Sequence, residues 1–382
     1  MQNSSEEFKL KKGWKIVFGI FIGLTLITSS LLTFQLIRII STDYDWLEGE
    51  PEDYGFKWNK IAATYLVAER MPFLRSVLII KNKTPLIEWY FNDGSEDEAF
   101  HIHSASKSFT SALVGIALRE GYLTDLDKKM LDFFPEYITP DLDPRKHNIT
   151  IRHLLQMKAG FNFNDSVDDW NSYFNSNDWV KHAIELPLVH NPGEGWHYGT
   201  PQTNLLAVII SKASNMSTRE FAETYLFNPL NISIAQWYQD PQGYYTGGHE
   251  MYFTPRELAQ FGLLYLYNGS LNGEQIVPKN WVQDSIMDYS NREIEFDVAM
   301  TGGLKSDFYK GTGYGYQWWL KEMRGYTSFS ARGLGGQFIF CFPELDMVVV
   351  TTASGTVSDA YPGQYEGIFD LIEYNILGSI IE

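Results

Sequence analysis

Phe100-His101-Ile102-His103-Ser104-Ala105-Ser106-Lys107-Ser108-Phe109-Thr110 places a hydroxyl at Ser104 and an amine three residues later at Lys107. Ala105, Phe109, Ala112, Leu113, Ile116 and Ala117 recur at helical spacing, so a helix is predicted over Ser104–Arg119, ended by Gly121. Residues i and i+3 share one face of a helix. A serine hydroxyl is a poor nucleophile until a base takes its proton. A lysine serves as that base when burial or a neighbouring cation makes its own proton easy to lose. At a helix start the serine N–H can also point at a developing oxyanion. The four-residue pattern alone is unspecific, because it arises by chance about once in a chain of this length. Its surroundings must carry the argument.

Outward from this segment, strands and helices follow in a definite order. Residues 57–70 read as a helix with Ile61, Leu66 and Ala68 on its apolar side. Ser76–Lys81 and Leu86–Phe91, separated by Asn82-Lys83-Thr84, read as a β-hairpin. Residues 125–290 are helix-rich with long loops. Within them Thr254, Pro255 and Glu257 form a capping-box helix start, and Gly269 marks the stop. Strand character returns in Phe329–Arg332, Phe338–Phe342 and Met347–Thr352, and Tyr365–Ile381 has helical periodicity. Strands at both ends of the chain with helices between them predict one antiparallel sheet built from the two ends, with the helices inserted.

Several further stretches, taken with the serine–lysine segment, resemble the class C β-lactamases, D,D-peptidases and related esterases. Ile151-Arg152-His153-Leu154-Leu155-Gln156-Met157-Lys158-Ala159-Gly160 is similar to that family's "LLxMxSG" helix and turn. Pro192-Gly193-Glu194, Tyr198 and Leu205–Ile210 resemble its second-motif region, and Thr254–Gly269 its "RDLARFG…L…G" helix. Gly313-Tyr314-Gly315-Tyr316-Gln317-Trp318-Trp319 matches as well. The motifs keep their order across residues 70–355, which is far more specific than any one of them. The resemblance implies an α/β fold of the beta-lactamase/transpeptidase-like sandwich type, with helices on the faces of the sheet and an inserted helix-rich domain.

It also implies roles for particular residues. The family's second motif is Tyr-x-Asn, whose tyrosine helps move protons between nucleophile and leaving group. Literal triplets begin at Tyr90, Tyr173 and Tyr289, but the first precedes the nucleophile and the others lack the flanking Pro-Gly-Glu and apolar helix. Tyr198-Gly199-Thr200 has both flanks, so Tyr198 is the expected proton shuttle and Thr200 a substrate-binding residue in place of asparagine. Threonine lacks the separate donor and acceptor of an amide. The third motif, Lys-Thr-Gly or His-x-Gly, corresponds best to Ala331-Arg332-Gly333 leading into Leu334-Gly335-Gly336-Gln337, similar to nylon-oligomer hydrolases and some esterases. In that alignment the N–H of Leu334 is the second oxyanion donor, and Gly333 and Gly335 lie against substrate. The cation usual at the motif's first position is missing, and Arg332 either replaces it or faces the other way. Lys310-Gly311-Thr312-Gly313 has the wrong spacing and precedes the strand pair. His249, in the loop before the capped helix, is expected to line the pocket.

Composition bounds the rest. The 382 residues are 44% hydrophobic and 15% aromatic, enough for an extensive core and a lined cleft. A formal net charge of −17 repels phosphate backbones and argues against nucleic-acid binding. A lone cysteine, Cys341, in an apolar run excludes an internal disulfide and a cysteine-based metal cluster. The chemistry asks for no metal and no organic cofactor. Residues 1–15 are basic, 16–37 carry no charge and are long enough to span a bilayer, and 38–56 read as an acidic tether. These lead to an expected transmembrane signal anchor, with the hydrolase domain over 57–382 held outside the cytoplasm. Cleavage after Thr28-Ser29-Ser30, which secretes the domain, is the alternative. The expected activity is hydrolysis of a small-molecule ester or small amide through an acyl-enzyme on Ser104. The alternatives are lactam or D-Ala-peptide turnover and a non-catalytic cell-surface binding protein that retains the fold.

Overall fold

The hairpin expected around Asn82-Lys83-Thr84 begins the sheet. In the computed structural model, which describes residues 51–292, 294, 309–355 and 363–381, β1 (Leu74–Lys81) and β2 (Thr84–Tyr90) pair antiparallel with Lys81 opposite Thr84. Asn82 and Lys83 both take positive φ, 51° and 65°. A two-residue turn with both residues left-handed matches the twist of the flanking strands. A helix α1 (Trp58–Ala68) precedes the hairpin, and β3 (Phe100–His101) and a tight turn at His103–Ala105 lead into α2 (Ser106–Arg119).

The helical middle comprises α3 (Ile151–Leu155), α4 (Val167–Phe174), α5 (Trp179–Glu185), α6 (Thr200–Ser214) and α7 (Thr218–Ala222). Short strands β4 (Gln236–Trp237) and β5 (Met251–Phe253) join β3 in a small sheet of order β3-β5-β4. Next come α8 (Pro255–Leu266), the small hairpin β6 (Ser270–Leu271) and β7 (Glu274–Gln275), and α9 (Lys279–Ser285). The chain returns to the main sheet through β8 (Gly313–Tyr314), β9 (Trp319–Met323), β10 (Tyr326–Gly333), β11 (Gln337–Phe342) and β12 (Met347–Ala353), and α10 (Gln364–Asp370) follows.

The main sheet has the order β2-β1-β12-β11-β10-β9-β8, and every pairing is antiparallel. The two ends of the chain therefore meet at β1 and β12, as the element order predicted. Alternate side chains serve opposite faces. Leu78, Ile80, Ile339, Cys341, Val348 and Val350 join a core that includes Phe109 of α2 and Phe261 of α8. Val77, Ile79, Phe338, Phe340, Phe342 and Val349 join a second core with Ile61 of α1 and Ile368 of α10. Burial on both faces explains why β11 and β12 read as unbroken apolar runs. The lone cysteine is a buried core residue.

The predicted start of α8 is present in full: the Thr254 hydroxyl accepts from the Glu257 N–H, and the Glu257 carboxylate accepts from the Thr254 N–H at 2.8 Å. Three local expectations need correction. Leu66 is 42% exposed, because it lies five residues from Ile61 and so about 140° round the helix from it. The helix expected from Ser104 takes α-geometry only at Ser106. Residues 51–56, read above as the end of a tether, are anchored at both ends: Pro51 and Phe56 are buried and Phe56 bridges Ile380, while Glu52 and Asp53 stay exposed.

The expectation of a transmembrane anchor is also corrected. Among the described residues no helix is long and apolar enough to cross a membrane. The apolar stretch 16–37 lies outside the described residues. No membrane segment is assigned.

Candidate active site

α2 runs between the sheet and the helical region, with every residue from Ser106 to Ala117 buried. Phe109 anchors it, its ring 3.7 Å from that of Phe261 and 4.7 Å from that of Phe253, centroid to centroid. This packing fixes the entry turn, where Ser104 sits half-buried after His103, whose φ of 49° turns the chain sharply into the helix. The Ser106 hydroxyl donates to the His103 carbonyl at 2.7 Å and braces the turn.

Lys107 is 1% exposed. Its Nζ lies 2.8 Å from Ser104 Oγ, 2.9 Å from Thr200 Oγ1 and 2.9 Å from the Gly248 carbonyl oxygen. Burial lowers its pKa to about 8, with the Asp165 charge acting in the opposite direction. The Tyr198 ring centroid is 4.9 Å from Nζ, and the Tyr198 side chain also hydrogen-bonds Ser104. Burial raises the Tyr198 hydroxyl well above its ordinary pKa. Of the two groups beside Ser104, the lysine is therefore the one that sheds a proton near neutral pH.

Each of these contacts has its own support. Thr200 is the first residue of α6 and is fully buried. Its Oγ1 donates to Asp165 Oδ2 at 2.8 Å, and its backbone N–H donates to Asp165 Oδ1 at 3.1 Å. Burial raises the Asp165 carboxyl, while Lys107 and the two Thr200 donors pull it down. One turn along α6, Asn204 Oδ1 accepts from the N–H groups of Gly247 and Gly248 at 3.0 and 2.9 Å, which fixes the carbonyl that faces Lys107. A Cβ on Gly248 would stand 2.6 Å from Thr200 Cγ2, so only glycine lets this loop approach so closely. Gln317 ties the surrounding helices: its Nε2 donates to the carbonyls of Leu154 and Leu155, and its Oε1 accepts from Thr203.

The strand end lies beside the nucleophile's turn. A Cβ on Gly333 would stand 2.1 Å from the carbonyl oxygen of Ile102, two residues before Ser104. Leu334 follows with its side chain 48% exposed. Gly335 is buried against Ser354 and Gln364, whose Nε2 donates to the Gly335 carbonyl at 2.8 Å, and it is not among the groups around Lys107. Arg332 is buried with its guanidinium 5.2–5.6 Å from the rings of Trp319, Phe340 and Phe369. Its Nε donates to Ser330 Oγ. Two of those rings belong to the second core, so the cation faces the layer containing α10.

His249 is 6% exposed, with Nδ1 3.3 Å from Glu250 Oε1 and its ring edge-on to Trp170. Burial lowers its pKa. It adjoins Gly248 and so borders the lysine's surroundings. Among the described residues no group of three or more His, Cys, Asp or Glu side chains is placed to hold a metal ion. Of the rejected tyrosines, Tyr90 bonds Glu88, Tyr173 bonds Asn204 and Tyr289 stacks on Tyr316. Sequence reading missed Asp165, Asn204, Gly248 and Gln317. Asn204 stands one helical turn after Thr200, Gly248 adjoins the His249 loop and Gln317 lies in a matched motif, whereas Asp165 carries no such signal.

Comparison with known proteins extends the likeness over most of the chain. The Beta-lactamase family model matches residues 75–370. The 6-aminohexanoate-dimer hydrolase of Paenarthrobacter ureafaciens is 26% identical over 294 residues, covering 72% of this chain and 71% of that one. Penicillin-binding protein 4* of Bacillus subtilis is 27% identical over 260 residues, covering 58% of this chain and 52% of that one. The crystal structure of a D-stereospecific amidohydrolase from a Streptomyces species superposes with a TM-score of 0.59 over 83% of this chain and 98% of that one, at 16% identity. At that identity the superposition speaks for the fold alone.

Proposed function

The chain belongs to the beta-lactamase family, and from that premise we propose that it is a serine hydrolase cleaving esters or small linear amides through an acyl-enzyme on Ser104. The observation that carries the reading is the buried Lys107 amine 2.8 Å from Ser104 Oγ, with its pKa held to about 8. Neutral Lys107 takes the hydroxyl proton as Oγ attacks the substrate carbonyl carbon. The backbone N–H groups of Ser104 and Leu334 bind the oxyanion of the tetrahedral intermediate. The Lys107 proton passes through Tyr198 to the leaving oxygen or nitrogen as that bond breaks. Water then attacks the acyl carbon, the same groups move its proton, and Ser104 is released.

The altered motifs narrow the substrate class. Thr200 presents no amide to a β-lactam or peptide, and its hydroxyl is already engaged by Lys107 and Asp165. The third motif lacks its usual cation, and Arg332 is turned toward the layer of Phe340 and Phe369. The first disfavours a lactam or peptide, and the second a substrate recognised by its carboxylate. A fluorophosphonate probe is expected to label wild-type protein at Ser104 and to leave Ser104→Ala unlabelled. A p-nitrophenyl ester panel run beside nitrocefin is expected to show ester turnover exceeding lactam turnover. An unlabelled wild type, or equal label in Ser104→Ala, sinks the mechanism. Nitrocefin turned over faster than every ester sinks the substrate class.

A further inference from the structure

We infer that Asp165 is a positioning residue that sets the direction of the hydrogen-bond chain through Thr200, so that the lone pair of Lys107 is left facing Ser104. The inference rests on the serine–lysine reading above and adds a residue to it. A neutral amine has two N–H donors and one lone pair. Among the described residues Lys107 Nζ has three hydrogen-bond neighbours: Ser104 Oγ, Thr200 Oγ1 and the Gly248 carbonyl. The carbonyl can only accept, so it takes one N–H. Thr200 has a single hydroxyl proton, and that proton is directed at Asp165 Oδ2, 2.8 Å away. Thr200 Oγ1 therefore accepts from the amine and takes the second N–H. The lone pair is the one amine function remaining, and among the described residues Ser104 Oγ–H is the group left for it.

A carboxylate suits this task because it is acceptor-only. Its other oxygen accepts the Thr200 backbone N–H at 3.1 Å, so both oxygens face donors. The same logic accounts for the departure from Tyr-x-Asn. An asparagine carbonyl is an acceptor toward the lysine by its own chemistry. A threonine hydroxyl is equally able to donate, and it becomes a dedicated acceptor only when a third group takes its proton. Without Asp165, the Thr200 hydroxyl is free to donate to the lysine lone pair and compete with Ser104. The ionisable groups facing Lys107 from the elements around it are Asp165, Tyr198 and His249. Of these, Asp165 bears the negative charge that works against burial in setting the lysine.

The test is a cycle of Asp165→Ala, Thr200→Val and the double variant, with two readouts. The first is kcat/KM on an activated ester. Asp165→Ala is expected to fall at least about tenfold, within the range of a misdirected general base. The double variant is expected to recover to the level of Thr200→Val alone, because valine removes the competing donor in the same volume. The second is the titration of Lys107 by NMR of 13Cε-labelled lysine, assigned with Lys107→Met. Loss of the charge, together with a hydroxyl donated to the neutral amine, moves this titration to lower pH. A purely structural role predicts the reverse, since a loosened, wetter site moves it up toward that of an ordinary lysine. An unchanged or raised titration, or a double variant at or below Asp165→Ala, overturns the inference. Should Asp165→Ala fail to fold, Asp165→Asn, of nearly the same volume, carries the titration. The titration needs no turnover, so an unlabelled Ser104 refutes the hydrolase reading separately from the role of Asp165.

Discussion

If Lys107 is the general base, the rate of Ser104 acylation must follow the neutral fraction of this one amine. Burial sets its pKa at about 8, so roughly 1% is neutral at pH 6, 9% at pH 7, half at pH 8 and 90% at pH 9. The expected kcat/KM rises about tenfold between pH 6 and 7, bends near 8 and is level above 9, about 90-fold in all. Burial moves the histidines near Ser104 down and the tyrosine up, away from the lysine on either side. Burial lowers His101 and His249 below the ordinary histidine value and holds His103 at about 3. The Tyr198 hydroxyl is held well above its ordinary value. Asp165 is coupled to Lys107, so the single limb belongs to the pair. The assay is the second-order rate of fluorophosphonate labelling at constant ionic strength from pH 6 to 9.5, with circular dichroism confirming the fold at each point. Lys107→Arg should abolish the limb, because a guanidinium stays protonated throughout, and should lower the plateau by about 10²–10⁴. A flat profile refutes the lysine, and a midpoint below 6.5 that survives in Lys107→Arg points to a histidine instead.

Gly333→Ala would place a methyl 2.1 Å from the Ile102 carbonyl oxygen. It is expected to push β10 from the nucleophile's turn, cost about 1–3 kcal/mol in urea unfolding and abolish labelling; normal labelling would separate that strand from the oxyanion site. Gln317→Leu keeps the approximate volume but strands the carbonyls of Leu154 and Leu155 and the Thr203 hydroxyl. A loss of about 3 kcal/mol or more in urea unfolding is expected, and a loss under about 1 kcal/mol would show that water replaces the amide. Arg332→Met should leave the kcat/KM ratio between a neutral and a carboxylate-bearing ester unchanged, since the guanidinium lies among Trp319, Phe340 and Phe369. A selective fall for the carboxylate-bearing ester would place the cation in the substrate site after all.

Local signals in the sequence located most of the frame. The hairpin at Asn82-Lys83, the capping box at Thr254 and the apolar runs of β11 and β12 are each decided by neighbours within a few residues, where periodicity and turn chemistry act. The pairing of β1 with β12 followed from a topological argument, that strands at both ends of a chain need one another. What was not legible depends on close approach between distant segments. The π-type turn at Leu371–Ile376 interrupts a helical periodicity that the sequence shows as continuous. The short strands β8 and β9 owe their pairing to the edge that β10 offers and not to a strong pattern of their own. The direction of Arg332 was left open, because strand alternation names two faces without saying which is which until β11 and α10 are in place.

Asp165 illustrates the limit most clearly, because its interest lies in a relation and not in a spacing. It stands 35 residues before Thr200, in a loop where it takes φ of 51°. Its type and position match nothing periodic, and an acidic residue in such a loop is ordinarily solvated or a helix cap. What singles it out is that a hydroxyl at Thr200 can face the lysine with either polarity, and that Asp165 takes its proton. From the sequence the threonine reads only as lacking the separate donor and acceptor of an amide. On the reading proposed above it is half of a pair that does the work of an amide's fixed acceptor: a hydroxyl with a carboxylate behind it. The pair has a chemical consequence that the asparagine form lacks, because the carboxylate adds a negative charge near the base and holds its pKa higher than burial alone would. A base tuned from behind in this way can be shifted without altering any group that touches substrate. Second-motif departures in such chains are therefore better judged by which group takes the new residue's proton than by the residue alone.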